Sequence, residues 1–226
     1  MSPLSSASLR HLRAMGGLVS ALLLLATIQM EAATIYWNMG TAVSNANPTT
    51  INSAEVAGGT LSGFTAINTT SPSTGTGTYT GASGEMNAGL NTRDTIDGLL
   101  TWTLTAQNGG QLTFTDITFG SRVTGTGPQD WVLSVSVDGG ASTSLASGAL
   151  NRNSEWSLIN PADFTSSAGT TFVFSLLGDN ATATSSTTNW RIDDITLVYN
   201  FTAVPEPSRM ILFGFSCITF FLRRKR

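Results

Sequence analysis

Apolar and hydroxyl-bearing residues alternate along much of the second half of the chain. Threonines separate Leu100, Trp102 and Leu104, and the same alternation recurs over residues 131–137. Successive side chains of a strand point to opposite faces, so this period of two predicts strands with one buried face. Only 11% of the residues are charged, against about 25% in typical soluble domains. That composition disfavours helices, whose solvent faces are rich in Glu, Lys and Arg.

The strand candidates are short and are separated by glycine-rich turns. Gly109-Gly110 and Asp138-Gly139-Gly140 predict turns, and a change of parity predicts a bulge near Asp116. About nine strands and no helical period predict an all-β fold, a two-sheet antiparallel jelly-roll-like sandwich. The clearest strands are residues 34–39, 99–104, 112–119, 131–137, 155–159, 170–177 and 190–199. We expect 34–39 to lie beside 190–199.

Parity assigns a set of side chains to the core. Trp102 and Trp131 lie within alternating strands and are expected to be buried with this set. The predicted core residues are Leu104, Leu112, Phe114, Leu133, Val135, Phe172, Phe174, Ile192, Ile195 and Leu197.

The N-terminal 33 residues have the form of an export signal. Arg10, His11 and Arg13 precede an apolar run over 16–28, and Ala32-Ala33 supplies small residues for cleavage. An uncleaved anchor is the alternative. The predicted organisation is therefore a signal peptide, with its helix, over 1–33, a β-sandwich over 34–203, and a tail over 204–226.

The tail combines three features in a fixed order. Pro205-Glu206-Pro207 breaks regular structure, residues 210–222 are almost wholly apolar, and four basic residues end the chain. The apolar run predicts a short transmembrane helix, barely long enough to span a bilayer. A basic end favours the cytoplasmic side, with the domain outside. The basic residues are Arg223, Arg224, Lys225 and Arg226.

These three features resemble the PEP-CTERM sorting signal of Gram-negative bacteria. The resemblance implies recognition and cleavage by an exosortase, a membrane-embedded protease, after passage through the secretion translocon and cleavage by signal peptidase. It implies a final location at the cell surface, the outer envelope or the extracellular matrix, after transient anchoring by the tail. A plain tail anchor is the alternative.

The domain itself is similar to jelly-roll domains of PEP-CTERM surface proteins from Verrucomicrobia and Planctomycetes. The matching segments are residues 125–131, 136–139 and 189–195. The resemblance implies fold and location rather than chemistry.

Charge and composition exclude several classes of function. Between residues 34 and 203 there are four Arg, no Lys and twelve acidic residues, a net charge of 4 − 12 = −8. A nucleic-acid partner is therefore not expected. Cys217 lies in the tail and His11 in the signal, so the domain has no disulfide framework, no Cys or His metal ligand and no Ser–His or Cys–His pair.

Few residues of the domain are candidates for a site. Asp193 and Asp194 are weak calcium candidates, although neighbours in a regular strand point to opposite faces, and backbone hydrogen bonding is the alternative. Trp156 and Trp190 are candidate glycan contacts. A glycosidase would need two carboxylates. The glutamates of the domain are Glu55, Glu85 and Glu155.

These observations leave three hypotheses. The first is an exported, sorted surface or matrix protein with no catalytic activity. The alternative is a carbohydrate-binding module acting on exopolysaccharide or environmental glycan. A glycan hydrolase is the third and weakest. No cofactor is expected apart from calcium.

Overall fold

The structure is a computed structural model that describes residues 32–39, 46–63, 66–68, 78–83, 87–185 and 187–203. The predicted signal peptide, except Ala32 and Ala33, and the whole predicted tail lie outside the described residues. Among the described residues no helix is long and apolar enough to cross a membrane.

Eleven strands and no helix are found in the described residues. The strands are β1 (Ala32–Trp37), β2 (Val56–Gly58), β3 (Ala66–Asn68), β4 (Asn87–Thr92), β5 (Gly98–Ala106), β6 (Gln111–Val123), β7 (Asp130–Val137), β8 (Thr143–Ala149), β9 (Trp156–Ile159), β10 (Thr171–Asp179) and β11 (Thr187–Thr202).

The strands form two antiparallel sheets, which confirms the predicted fold class. The six-stranded sheet has the order β3-β4-β11-β6-β9, with β1 also paired to β11, and the five-stranded sheet has the order β2-β5-β10-β7-β8. From β4 onward the chain passes between the sheets in the winding of a jelly roll. As predicted, the first strand lies beside the last, with Ala32 opposite Asn200.

Strand β11 changes partner halfway along one edge. Residues 187–192 pair with β4 and residues 195–200 pair with β1, while β6 lies along the other edge. At the junction the register with β6 shifts between Asp193 and Thr196, and Asp194 has a φ of +48°. The junction is therefore a β-bulge.

The predicted turns and bulge are present, with one difference in pairing. Asp138 and Gly139 have φ of +51° and +75°, as in the tight turns that join β-hairpins, and they connect the paired strands β7 and β8. Thr115 is the extra residue of a bulge beside Asp116. The turn at Asn108-Gly109, however, joins β5 to β6 in the opposite sheet, so it is not a hairpin.

The core lies between the sheets and consists mainly of aromatic and branched side chains. All ten predicted core residues are buried, as are Trp102 and Trp131. The ring of Phe114 meets those of Phe172 and Phe174 edge-on at 4.8 and 4.9 Å, and Trp102 stacks on Phe174 at 5.3 Å. The Phe114 contacts join the two sheets, whereas Trp102 and Phe174 are neighbours within the five-stranded sheet.

Candidate functional site

The outer face of the six-stranded sheet carries a row of large side chains. In the antiparallel register Arg191 of β11 lies opposite Arg122 of β6, and Arg122 lies opposite Trp156 of the edge strand β9. Directly paired residues of neighbouring strands project on the same side of the sheet. We call Arg191, Arg122 and Trp156 the arginine row.

The arginines of this row are half-buried and adjacent. The Nε of Arg122 donates to the backbone oxygen of Ser154 at 2.7 Å. The Nε of Arg191 is buried without a hydrogen-bond partner, and one Nη lies 3.5 Å from the carbonyl of Thr188. Burial, and next the like charge of Arg122, lower the pKa of Arg191.

A short segment, residues 78–83, lies over the next row of the same face. A Cβ placed on Gly120 would meet the Tyr79 hydroxyl at 2.1 Å, so the tyrosine occupies the space that this glycine leaves. The Tyr79 ring is 6.2 Å from the Trp156 ring, at an angle of 40°. Leu158, opposite Gly120 in the register, is 38% exposed. The result is a partly exposed aromatic and aliphatic surface beside the arginine row.

Asp194 holds this segment in place. Its Oδ2 accepts hydrogen bonds from the Tyr79 hydroxyl at 2.5 Å and from the backbone N–H of Ser83 at 3.0 Å. Its Oδ1 accepts the Ser83 hydroxyl at 2.8 Å and the Tyr36 hydroxyl. Burial, followed by the bond to Asp194, raises the pKa of Tyr36 to about 12 and moves the pKa of Tyr79 upward as well. Both phenols therefore remain protonated donors at neutral pH.

The bulge explains why both candidate calcium ligands lie near the same tyrosines. Asp193 and Asp194 are 0% and 4% exposed, and the charges of both act on Tyr36 and Tyr79. The strict alternation expected for this pair is therefore wrong, because Asp194 leaves the regular strand conformation. The Oδ1 of Asp193 accepts the Asp194 N–H at 2.9 Å. Within the described ranges no cluster of three or more metal-ligating side chains is found.

The prediction for Trp190 is wrong. Its side chain is fully buried, and its Nε1 donates to the Ser121 hydroxyl at 3.0 Å. A Cβ on Gly98 or Gly178 would lie 3.0 or 2.4 Å from its ring, so both glycines make room for the indole. Trp190 shares parity with Ile192 and belongs to the core.

The glutamates proposed for hydrolysis are not brought together where the structure describes them. Glu55 accepts the Tyr199 hydroxyl at 2.8 Å just before β2 of the five-stranded sheet. Glu155 precedes β9 of the other sheet, and Glu85 lies outside the described residues. The sorting motif, Pro205, Glu206 and Pro207, and the basic end also lie outside them and remain predictions.

The five-stranded sheet offers a second, shallower surface. Cross-strand pairing places the small hydroxyl side chains of Ser62, Thr101, Ser175, Ser134 and Ser144 in one line, which we call the hydroxyl row. A groove of about 300 Å³ lies at one end of the row, and Thr103 and Val173 contribute to its wall. The groove borders Trp102, whose buried Nε1 has no hydrogen-bond partner.

Trp156 was a candidate from the sequence, whereas Tyr79 and the two arginines beside it were not. The alternation within each strand indicates that Arg122 and Arg191 point outward. Their adjacency depends on the register between β6 and β11, two strands far apart in the chain.

Comparisons with known proteins leave the family open. No family model matches the sequence, and no curated protein matches it. Similar solved structures include TmCBM61 in complex with β-1,4-galactotriose, with 15% identity, coverage of 65% of this chain and 84% of that one, and a TM-score of 0.35. The CBM35 from Cellvibrio japonicus Abf62 has 16% identity, coverage of 74% and 92%, and a TM-score of 0.35. The C-terminal CBM6 of LamC from Zobellia galactanivorans has 11% identity, coverage of 74% and 98%, and a TM-score of 0.33. Similarity at these values assigns neither a ligand nor an activity to this chain.

Proposed function

We propose that this chain is an exported, non-catalytic surface protein whose β-sandwich binds glycan through the outer face of the six-stranded sheet. The observation that carries the proposal is the Trp156–Tyr79 pair, two partly exposed rings 6.2 Å apart beside Leu158. Aromatic rings offer an apolar face with a polar edge, which suits a sugar ring with its C–H face and its hydroxyls.

The second ring is fixed before any ligand arrives. Tyr79 donates to Asp194, which also bonds Tyr36 and Ser83, so the ring cannot swing freely away from Trp156. A surface that is already ordered loses less conformational entropy on binding, which favours affinity. The arrangement is therefore suited to binding without a conformational change of the Tyr79 ring.

The test is retention on insoluble polysaccharides and on a glycan array, using the full-length chain purified in mild detergent. Trp156→Ala is expected to weaken binding about tenfold through the loss of one stacking face, while Trp156→Phe retains most of it. Val173→Ala, on the outer face of the other sheet, is the matched control and should bind as the wild type does.

Two outcomes contradict the proposal. One is the absence of binding to every glycan by a wild-type protein that melts cooperatively. The other is loss of binding in Val173→Ala with full binding in Trp156→Ala, which would move the site to the groove of the five-stranded sheet.

The proposal includes sorting by the tail, supported by the Pro-Glu-Pro, apolar and basic order of residues 205–226. Two prolines disfavour regular secondary structure and remove two backbone donors, which is consistent with a motif that a protease reads. The mass of the mature protein should lack the C-terminal segment only in cells that contain the exosortase. Changing Pro205, Glu206 and Pro207 together to Ala should prevent the cut. An intact tail on the mature protein in its own host would identify a plain anchor instead.

A further inference from the structure

Half of the domain's cations stand side by side in the arginine row. The domain has four arginines, no lysine and twelve acidic residues, yet Arg122 and Arg191 lie directly opposite each other on neighbouring strands. Like charges in directly paired positions destabilise a sheet. A carboxylate at either of the two positions would have relieved this repulsion, and the domain has twelve acidic residues. This unfavourable pairing is therefore the feature that needs a functional reason.

The pair is not neutralised within the described part of the chain. No ion pair of either arginine is found among the described residues, and the Oδ1 of Asp193, two residues along the same strand, accepts the N–H of Asp194. The Arg122 side chain is fixed by its bond to Ser154, and the buried Nε of Arg191 has no partner. Two oriented guanidinium groups with unused donors are suited to the planar oxygens of a carboxylate or to those of a sulfate.

Trp156, the third member of the arginine row, indicates which kind of ligand would bear the anionic group. Trp156 lies one strand beyond Arg122, and neighbouring strands are about 4.8 Å apart. An anionic group held by the arginines is then next to the Trp156 and Tyr79 rings. A ligand with a charged substituent on a sugar ring matches both parts, whereas a free anion would use only one.

We propose that Arg122 and Arg191 bind the carboxylate or sulfate groups of an acidic polysaccharide whose sugar ring rests against Trp156. This inference rests on the proposed glycan-binding function and names its substrate class. A nucleic acid is not the expected ligand, because its dense phosphate charge is bound by many clustered cations and the row supplies only two.

The experiment compares matched polymers with the full-length chain in mild detergent, at two salt concentrations. Polygalacturonate is set against its methyl ester, and dextran sulfate against dextran, so each pair differs only in the anionic group. A DNA duplex is the polyanion control. We expect at least one acidic polymer to bind about tenfold or more tightly than its neutral counterpart, as one or two charge-assisted hydrogen bonds would give. The pair that shows the preference distinguishes carboxylate from sulfate.

Variants separate this inference from the proposed function. Arg122→Gln and Arg191→Gln should each reduce the preference for the acidic polymer about tenfold. Both should leave binding to the neutral polymer unchanged. Arg191→Lys should keep part of the preference, because it keeps the charge without the planar fork. Arg152→Gln is the matched control, with the same change of charge at an arginine bonded to Gly125 and Thr182 instead.

The outcomes divide cleanly. Equal binding of acidic and neutral polymers overturns the inference and leaves the proposed function standing. So does a preference that survives the double Arg→Gln variant or is lost equally in Arg152→Gln. DNA binding as tight as that of the acidic polymer also overturns it. Absence of binding to all glycans overturns the proposed function itself.

Discussion

The inner faces of the two sheets carry the same types of side chain, whereas their outer faces carry different ones. Both contribute aromatic and branched side chains to the same core. Outside, the five-stranded sheet shows the hydroxyl row of small, uncharged side chains, while the six-stranded sheet shows the arginine row with aromatic rings beside it. Alternation decides which residues point outward but not their chemistry. The outward positions are therefore where the two sheets differ, and each outer face presents its own set of side chains.

The largest expected effect comes from a core substitution, which should destabilise both sheets together. Phe174 is fully buried, stacks on Trp102 of the neighbouring strand and meets Phe114 across the core, so Phe174→Ala should lower the free energy of unfolding by about 3–5 kcal/mol. Its neighbour Val173 is 42% exposed, and Val173→Ala should change the free energy of unfolding by less than about 0.5 kcal/mol. Urea denaturation measures both. If Phe174→Ala is as stable as the wild type, the assignment of faces in β10 is wrong.

A smaller effect should be confined to the six-stranded sheet. A Cβ on Gly120 would overlap the Tyr79 hydroxyl, so Gly120→Ala should displace residues 78–83 and lower stability by about 1–3 kcal/mol. Gly125→Ala is the control, since its Cβ would meet its nearest neighbour at 4.0 Å. Glycan binding should fall in the first variant and not in the second. Wild-type stability and binding in Gly120→Ala would show that Tyr79 does not rest on this glycine.

The smallest effect is a dependence on alkaline pH. The Tyr36 pKa rises from 10.0 in the unfolded chain to about 12 in the folded domain. A raised pKa adds stability that is fully present below pH 10.0 and is lost as the pH rises toward about 12. Tyr36→Phe should therefore flatten the decline in denaturation midpoint over this window. An equally steep decline in Tyr36→Phe would assign the dependence to other groups.

Local pattern predicted much of the fold. The strands with regular alternation, such as β7 and β10, carry their own evidence for one buried face. Strand β4 was missed because its sequence, Asn-Ala-Gly-Leu-Asn-Thr, has little intrinsic strand preference. It is a strand because β11 supplies hydrogen-bond partners and the surroundings bury most of it. Tertiary contacts therefore override propensity in this strand.

The site was harder to predict than the fold because it depends on register and on a bulge. The adjacency of Arg122 and Arg191 requires the pairing of two strands far apart in the chain. The position of Tyr79 depends on Asp194, whose φ of +48° breaks the alternation that places strand residues on faces. The error at Trp190 is different in kind, because its shared parity with Ile192 already indicated burial.

The partner change along β11 has a consequence for the order of folding. Among the described strands β1 pairs with β11, in a register that sets Ala32 against Asn200 and Trp37 against Ile195, and Tyr36 also bridges to Thr50. Contacts between the two ends of a chain close the longest loop and slow folding. During synthesis, β1 lacks its partner strand until β11 has emerged. The six-stranded sheet, and with it the junction at Asp194 that holds Tyr79, can therefore be completed only after the whole domain has been delivered.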